Sequence, residues 1–421
     1  MMEGPPGFET ISITGYDAVK AALTNTDLSR SLDKERFETG NIKEGTLSVL
    51  HGDEHRERRK MENRLFRREM YELYEYELFP DIVAHTLERF VDPHESDLME
   101  IGGLFTVVLA CKTAGIDFDR ESITDRQRLR HFLHQFALGG AIDAARIDPA
   151  EVKAQMQEAL GEFKDEYLAE SKARRLELVD RYLAGEETDL PYDMLTNLLE
   201  HRQESGMDDD LIDRETGLYF TAGAHTSTQT LTNTSHLVFE WCREHPEDWV
   251  RIAEDRAFAQ RCVHEALRIR PTNPGIMRKA VEDTEVAGLE VKAGSVLVLD
   301  TVSANTDPTA YGADAESFNP KREVPDGLPA YGLSFGAGMH FCPGRTVAVG
   351  LPQRHHEVKD DHLYGLVPIA LQAVVERGIQ PHPDHEPVPD TKTNRWTRWL
   401  RYPVVFDPRS ALNKVSVGPS H

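Results

Sequence analysis

Cysteine is scarce: 421 residues hold four, Cys111, Cys242, Cys262 and Cys342, far apart and with no C-x-x-C pair. That spacing excludes a disulfide scaffold and a cysteine-rich zinc site, and it makes a reducing cytosol the expected compartment. Long apolar runs are missing as well. Nowhere do about 18 uncharged apolar residues follow one another, and the amino terminus, MMEGPPGFET, lacks the basic region, apolar core and cleavage site of a signal peptide. A soluble, unexported, cytoplasmic protein without a membrane partner is therefore expected. Basic residues are the minority, 48 Lys and Arg against 72 Asp and Glu, for a formal charge of -24. Such a balance argues against nucleic acid, whose phosphates reward basic faces. Repeats and low-complexity linkers are absent too, so the 39% hydrophobic content can serve one large core.

What is present reads as mostly helix. ETISIT, residues 9–14, alternates like a short strand, and GYDAVKAAL follows with helical spacing and Asp17 as a cap. Residues 32–50 mix Gly, Asn and charges without a period and read as a loop. From Asp53 to about Gly139 at least three amphipathic helices follow, and residues 148–185 make a long polar-faced helical stretch with Pro149 near its start. Residues 208–245 read as one long, unusually apolar helix, and Pro246 opens the next. Between Arg278 and Thr301 alternating Val and Leu, broken by Gly288 and Gly294, signal strands. The tail WTRWLRYPVVF reads as a closing hairpin. The expected fold class is mainly α with a small β portion, one domain over residues 1–421. Against the acidic background, HRERRKMENRLFRRE (55–69) is a basic stretch. It is either a solvated helix face or a dock for an acidic partner.

Three local patterns could carry chemistry. In YGLSFGAGMHFCPGRTVAVG, residues 331–350, Gly336, Gly338 and Gly344 let a flat ligand approach the main chain around Cys342. Phe341 stands where a dinucleotide loop needs its third glycine, and His340 with Cys342 supplies too few ligands for zinc. A lone cysteine by itself is usually a buried hydrophobe. EALR sets Glu265 and Arg268 three apart on one helix face, where an ion pair can form. In AGAHTSTQT, Gly223 interrupts an apolar helix beside Thr226, whose hydroxyl can bond back to an earlier carbonyl.

In this order these patterns resemble the cytochrome P450 family. FGAGMHFCPG matches its haem-ligand loop, Phe-Gly-x-Gly-x-His-x-Cys-x-Gly, at all six defined positions, including Phe335, Gly336 and Gly344. EALR matches its Glu-x-x-Arg helix, and FNPKR looks like the meander whose Arg322 joins Glu265 and Arg268 in a buried triad. ANTDP at Ala304, AGAHTS and GDEHRERR are similar to further family segments, so the resemblance spans about residues 9–350. It implies haem b with Cys342 as thiolate ligand to iron, and propionates held by His55, Arg59, Arg278 and His340. Thr226 would help deliver protons to bound dioxygen, with His225 where the family has Asp or Glu, an imidazole able to shuttle protons near neutral pH.

The implied pocket is lined by the loop near Phe37–Leu47, the turn around Leu138–Ala144, Ala222, Gly223, Pro274, Ile276 and Met277. The implied reaction places one atom of dioxygen in a small, largely apolar molecule. Electrons would come from NAD(P)H through a separate reductase and ferredoxin, with the basic stretch as the docking face and a monomer expected. The alternatives are a peroxide-driven oxidation, decarboxylation or rearrangement, and a haem-binding sensor or carrier. Two departures from the family pattern are expected. The amino terminus is short, which would open substrate access, and a polar insertion at about 350–366, containing Pro352, His355 and His356, stops or kinks the helix after Cys342.

Overall fold

The structure, a computed structural model, describes residues 4, 8–32, 38–92, 94–353, 361–395 and 397–407. Helices dominate, and the fold class is as the sequence predicts: mainly α with small sheets. The core is built on helix Leu98–Ala114, which is apolar apart from Glu100, Lys112 and its threonines and is capped at its start by Asp97, whose side chain accepts from Met99 N. It lies against helix Ala224–Glu244 closely enough that a Cβ on Gly102 would meet Thr228 Cγ2 at 2.9 Å, while Thr106 and Thr228 share a hydroxyl hydrogen bond of 3.1 Å. Only glycine permits that approach. Helices Phe79–Arg89, Ile123–Gly140 and Arg256–Ile269 surround this pair with apolar faces. Pro149 sits in the first turn of helix Pro149–Phe163, where its missing N–H costs nothing, and Asp148 accepts from Ala150 N.

A four-stranded sheet runs in the order Thr10–Ile13, Val296–Asp300, Gly275–Ala280 and Leu28–Ser29, with the first pair parallel and the others antiparallel. Several expectations need correcting. Asp17 lies inside helix Tyr16–Thr24, whose cap is Gly15, because the first amides are satisfied from afar: Ser303 Oγ accepts from Gly15 N and Asp307 from Tyr16 N. The tail is no hairpin. Trp399–Arg401 pairs with Val388–Pro389, whereas Pro403–Phe406 joins Ile379–Pro381 and Ser96–Asp97 in a different sheet.

The helix after Cys342 does stop, but at Gly350 rather than Pro352: it spans Arg345–Val349 and helix resumes at Leu366–Glu376. Gly350 (φ 74°) and Gly365 (φ 84°) touch at the neck of the insertion, so closely that a Cβ on Gly365 would meet Gly350 N at 2.4 Å. Leu351 N donates to Leu363 O at 2.8 Å, and Gln260 Nε2 donates to Val349 O at 2.8 Å. His355 and His356 lie outside the described residues. No helix among the described residues is long and apolar enough to cross a membrane.

Candidate functional site

The long apolar helix of the sequence reading is two helices, Asp209–Ala222 and Ala224–Glu244, broken at Gly223. Thr226 Oγ1 donates back to Ala222 O at 2.8 Å, which occupies the carbonyl that an unbroken helix would use and holds the turn open. The break faces a cavity of about 390 Å3 lined by Ala222, His225 and Thr226 on one wall and Phe335, Gly336, His340 and Cys342 on another. Cys111, Cys242 and Cys262 are buried in the apolar core, so Cys342 is the one described thiol that opens on this cavity. A second hollow of about 780 Å3, bordering Glu265 and Arg322, holds no thiol.

The loop around Cys342 is held by backbone bonds and by glycine. Cys342 N donates to Phe335 O at 3.0 Å and Gly336 N to Leu333 O at 2.9 Å. Gly338 has φ 68°, and a Cβ there would meet Leu23 O at 2.8 Å. Burial pushes the Cys342 thiol above its ordinary pKa, and the Gly344 N–H together with Arg59, Arg30 and Arg345 pulls the other way by favouring the anion. Arg59 Nη2 donates to Phe341 O at 2.9 Å, tying helix Gly52–Glu62 to the loop. His55 and His340 meet edge to face with ring centroids 4.5 Å apart. Burial, then Arg59 and Arg30, lowers His55 to about 4; burial, then Arg30 and Arg278, lowers His340 as well. Both imidazoles are therefore neutral near pH 7, in a site crowded with guanidinium groups. Arg278 is lowered to about 9 by burial and then by Arg30.

His225 lines the cavity. Burial first, then Arg398, His134 and Arg395, holds it well below its ordinary value. Burial, reinforced by two arginines that the sequence reading did not place there, thus favours the neutral imidazole at His225. Of the remaining pocket residues, Ile276 and Met277 line the cavity, as do Lys43, Leu47, Asp143 and Ala144. Pro274 and Gly223 are not in its wall, and Phe37 lies outside the described residues.

Glu265, Arg268 and Arg322 do come together, away from the cavity wall. Arg268 donates to both Glu265 oxygens at 2.8 and 2.7 Å, and Arg322 Nε donates to Glu265 Oε1 at 3.1 Å. Arg268 Nη1 also donates to Asn305 O at 2.7 Å; Asn305 Oδ1 accepts from Leu333 N at 2.6 Å, and its amide donates to Ser334 Oγ at 3.0 Å. The triad thereby anchors the start of the Cys342 loop.

The sequence reading missed Arg30, Asn273, Arg395 and Arg398 in the cavity wall. The basic stretch is also partly spent internally: Arg58 reaches Glu215 at 3.3 Å, Arg59 the Cys342 loop, and Arg64 Glu200 at 2.7 Å. Arg56, Lys60, Arg67 and Arg68 remain exposed.

Residues 6–349 match the Cytochrome P450 family. The chain is 26% identical to a C-19 steroid 1alpha-hydroxylase of Sorangium cellulosum, over 83% of this chain and 78% of that one. It is 27% identical to a nocardicin C N-oxygenase of Nocardia uniformis, over 82% and 80%. Among solved structures, a cytochrome P450 for C–S bond formation in chuangxinmycin biosynthesis superposes with a TM-score of 0.72 at 20% identity, covering 95% of this chain and 89% of that one. The chain belongs to the cytochrome P450 family and is a haem-dependent monooxygenase of the bacterial type.

Proposed function

We propose that this enzyme places one atom of dioxygen in a small organic molecule with a largely apolar body and releases the other atom as water. Its electrons come from NAD(P)H through a separate reductase and ferredoxin. The carrying observation is that Cys342, of the described thiols, opens on a cavity whose facing wall is the helix broken at Gly223 beside Thr226. When bound through Cys342, haem b supplies the activation of dioxygen, and its chemistry follows from thiolate ligation.

The residues present suit that group. His55 Nδ1 and His340 Nε2 are buried ring nitrogens without a hydrogen-bond partner. Such orphaned groups are costly unless a ligand completes them, and the two carboxylates of a haem would do so. His55, Arg59, Arg278 and His340 hold those carboxylates; Phe335, Gly336 and Gly344 shape the loop, and the Gly344 N–H stabilises the sulfur anion. Thr226 presents its hydroxyl to the cavity with its proton engaged by Ala222 O, so it accepts a hydrogen bond there and can relay a proton. His225, a neutral imidazole whose buried Nε2 has no partner, stands beside Thr226 and can pass a proton by accepting at one ring nitrogen and donating from the other. Leu47, Phe136, Ile276 and Met277 exclude water around the substrate body.

The exposed Lys60 and Arg67, beside the Cys342 loop through Arg59, form the docking face for an acidic ferredoxin. Reconstitution tests the reading: purified enzyme with ferredoxin, its reductase and NADPH forms product coupled to oxygen uptake. Turnover with peroxide alone, and none with the redox partners, would favour the peroxide-driven alternative.

A further inference from the structure

Six cationic side chains line the cavity, Arg30, Lys43, Arg59, Arg278, Arg395 and Arg398, and among the described residues Asp143 is the single carboxylate in its wall. This occurs in a chain whose formal charge is -24. The two carboxylates of a bound haem, added to Asp143, make three anions against six cations in the wall; behind it Glu38 acts on Lys43, and Asp390 on Arg395 and Arg398, so the wall itself still presents an excess of positive charge. Burying unpaired charge is expensive, and proteins retain it where a ligand completes the pair.

The excess gathers on one part of the wall. Three segments meet there: the loop carrying Lys43, the turn after helix Ile123–Gly140 carrying Asp143, and the tail carrying Arg395 and Arg398. They are stitched by Asn41 Nδ2 to Gly139 O at 2.8 Å, Asn394 N to Ala144 O at 2.9 Å, and Arg146 N to Lys392 O at 2.9 Å. Arg398 is fixed by Thr272 O at 3.2 Å and Asn273 at 3.3 Å, and Arg395 by Asn273 at 2.5 Å. One face of Arg395 is left over: its Nε is buried without a partner, as is Asp143 Oδ1. Arg30, an exposed residue that also lines the cavity, adds to the same field. Burial lowers Lys43, with Asp143 opposing; burial would raise Asp143, yet Lys43, Arg395 and Arg30 hold it below the usual carboxylate range. Asp143 is thus the carboxylate of the wall on which these cations act, with Glu38 and Asp390 adding opposing charge from outside it.

The geometry points to a carboxylate-bearing substrate whose anionic end is held by Lys43 and Arg395 while its apolar body lies against Leu47, Phe136, Ile276 and Met277. This rests on the monooxygenase reading above and specifies its substrate class. A carboxylate matches Lys as a point charge and Arg as a fork of donors.

The test uses haem-loaded enzyme and matched pairs of ligands: decanoate against methyl decanoate, and 4-phenylbutyrate against methyl 4-phenylbutyrate. Dissociation constants come from the spin-state shift and, independently, from calorimetry. The acids are expected to bind at least tenfold tighter than their esters, less so at high salt. Lys43→Met and Arg395→Met each shrink the preference to within about threefold, Arg395→Lys restores part of it, and Asp143→Asn strengthens acid binding without changing the esters. Ester binding equal to acid binding in the wild type, a preference surviving both methionine variants, or no binding of either acid overturns the proposal. Haem content and the carbon monoxide spectrum of each variant, measured in parallel, separate that failure from failure of the haem-thiolate reading, which would alter them in the wild type itself.

Discussion

Replacing Glu265 by Gln keeps the shape of the side chain and removes the one charge that two buried guanidinium groups share. Arg268 is fully buried, its side chain 0% exposed against 5% for Glu265. Besides Glu265 it touches the carbonyls of Asn305, Ala315 and Ser317 at 2.7, 2.6 and 3.3 Å and lies over the Tyr311 ring at 5.0 Å, so carbonyl dipoles and one ring face, but no charge, would remain to balance it. A glutamine can offer Arg268 one acceptor, but its NH2 then faces a second donor. Arg322 is better placed, because Asp314 holds its Nη1 at 2.6 Å. Breaking a buried pair by removing one partner costs about 3–5 kcal/mol, since the other charge stays buried. Asp314→Asn acts on a carboxylate whose side chain is 55% exposed, and such a pair is worth about 1 kcal/mol or less.

Urea unfolding of haem-loaded protein at matched haem content, followed by tryptophan fluorescence and far-UV circular dichroism, reads both variants. Unchanged slopes would confirm that midpoint shifts report stability. The Glu265 variant should also load less haem, because Arg268 reaches the Cys342 loop through Asn305, Leu333 and Ser334. A cost below about 1 kcal/mol, or one equal to that of Asp314→Asn, would refute the argument that the triad is a buried ionic anchor.

Other outcomes follow from the same structure. Glu62 is fully buried and pushed up from 4.5 to about 7 by burial, against the Tyr219 hydroxyl, Arg58 and Arg59. The folded state therefore binds an extra proton between pH 4.5 and 7, beside a second buried carboxyl, Glu215, that burial and Glu62 also raise, and stability falls as pH rises through that window. Glu62→Gln keeps an acceptor for Tyr219 and should match the wild type near pH 4.5 but exceed it at pH 8 in urea midpoints; parallel pH profiles would contradict this. Gly338→Ala drives a Cβ into the backbone of Leu23 and Thr24 at φ 68°, whereas Gly336→Ala meets only His340 O at 3.8 Å. The first should lose most haem on purification and the second retain it at a cost of about 1–2 kcal/mol. Lys60→Glu with Arg67→Glu should slow reduction by ferredoxin several-fold at low salt, read by stopped flow, while Arg64→Glu acts mainly by breaking its pair with Glu200. Rates indifferent to ionic strength would remove the docking face.

The parts legible in the sequence are those set by short spacing. Glu265 and Arg268 share a helix face, Gly223 breaks a helix beside a hydroxyl, and the glycines around Cys342 announce a loop pressed against other backbone. What stayed hidden depends on partners far along the chain. Arg395 and Arg398 enter the cavity because their segment hydrogen-bonds to residues 144–146, a contact no local pattern encodes. The helix after Cys342 ends at Gly350 because Gly350 and Gly365 touch, which displaced the stop from the more obvious Pro352. The inward turn of the basic stretch was within reach: His55, Arg59 and Glu62 follow helical spacing, so one face of that helix had to be buried, and charge alone obscured it.

The central claim is that Cys342, as a thiolate, holds the haem. The most direct measurement is the absorption spectrum of the reduced protein under carbon monoxide, for the wild type and for Cys342→Ala. The account predicts the red-shifted Soret band of thiolate-ligated haem in the wild type, and its loss together with most of the bound haem in the variant. A wild-type band at the position of histidine-ligated haem, or a variant with unchanged spectrum and haem content, would contradict it.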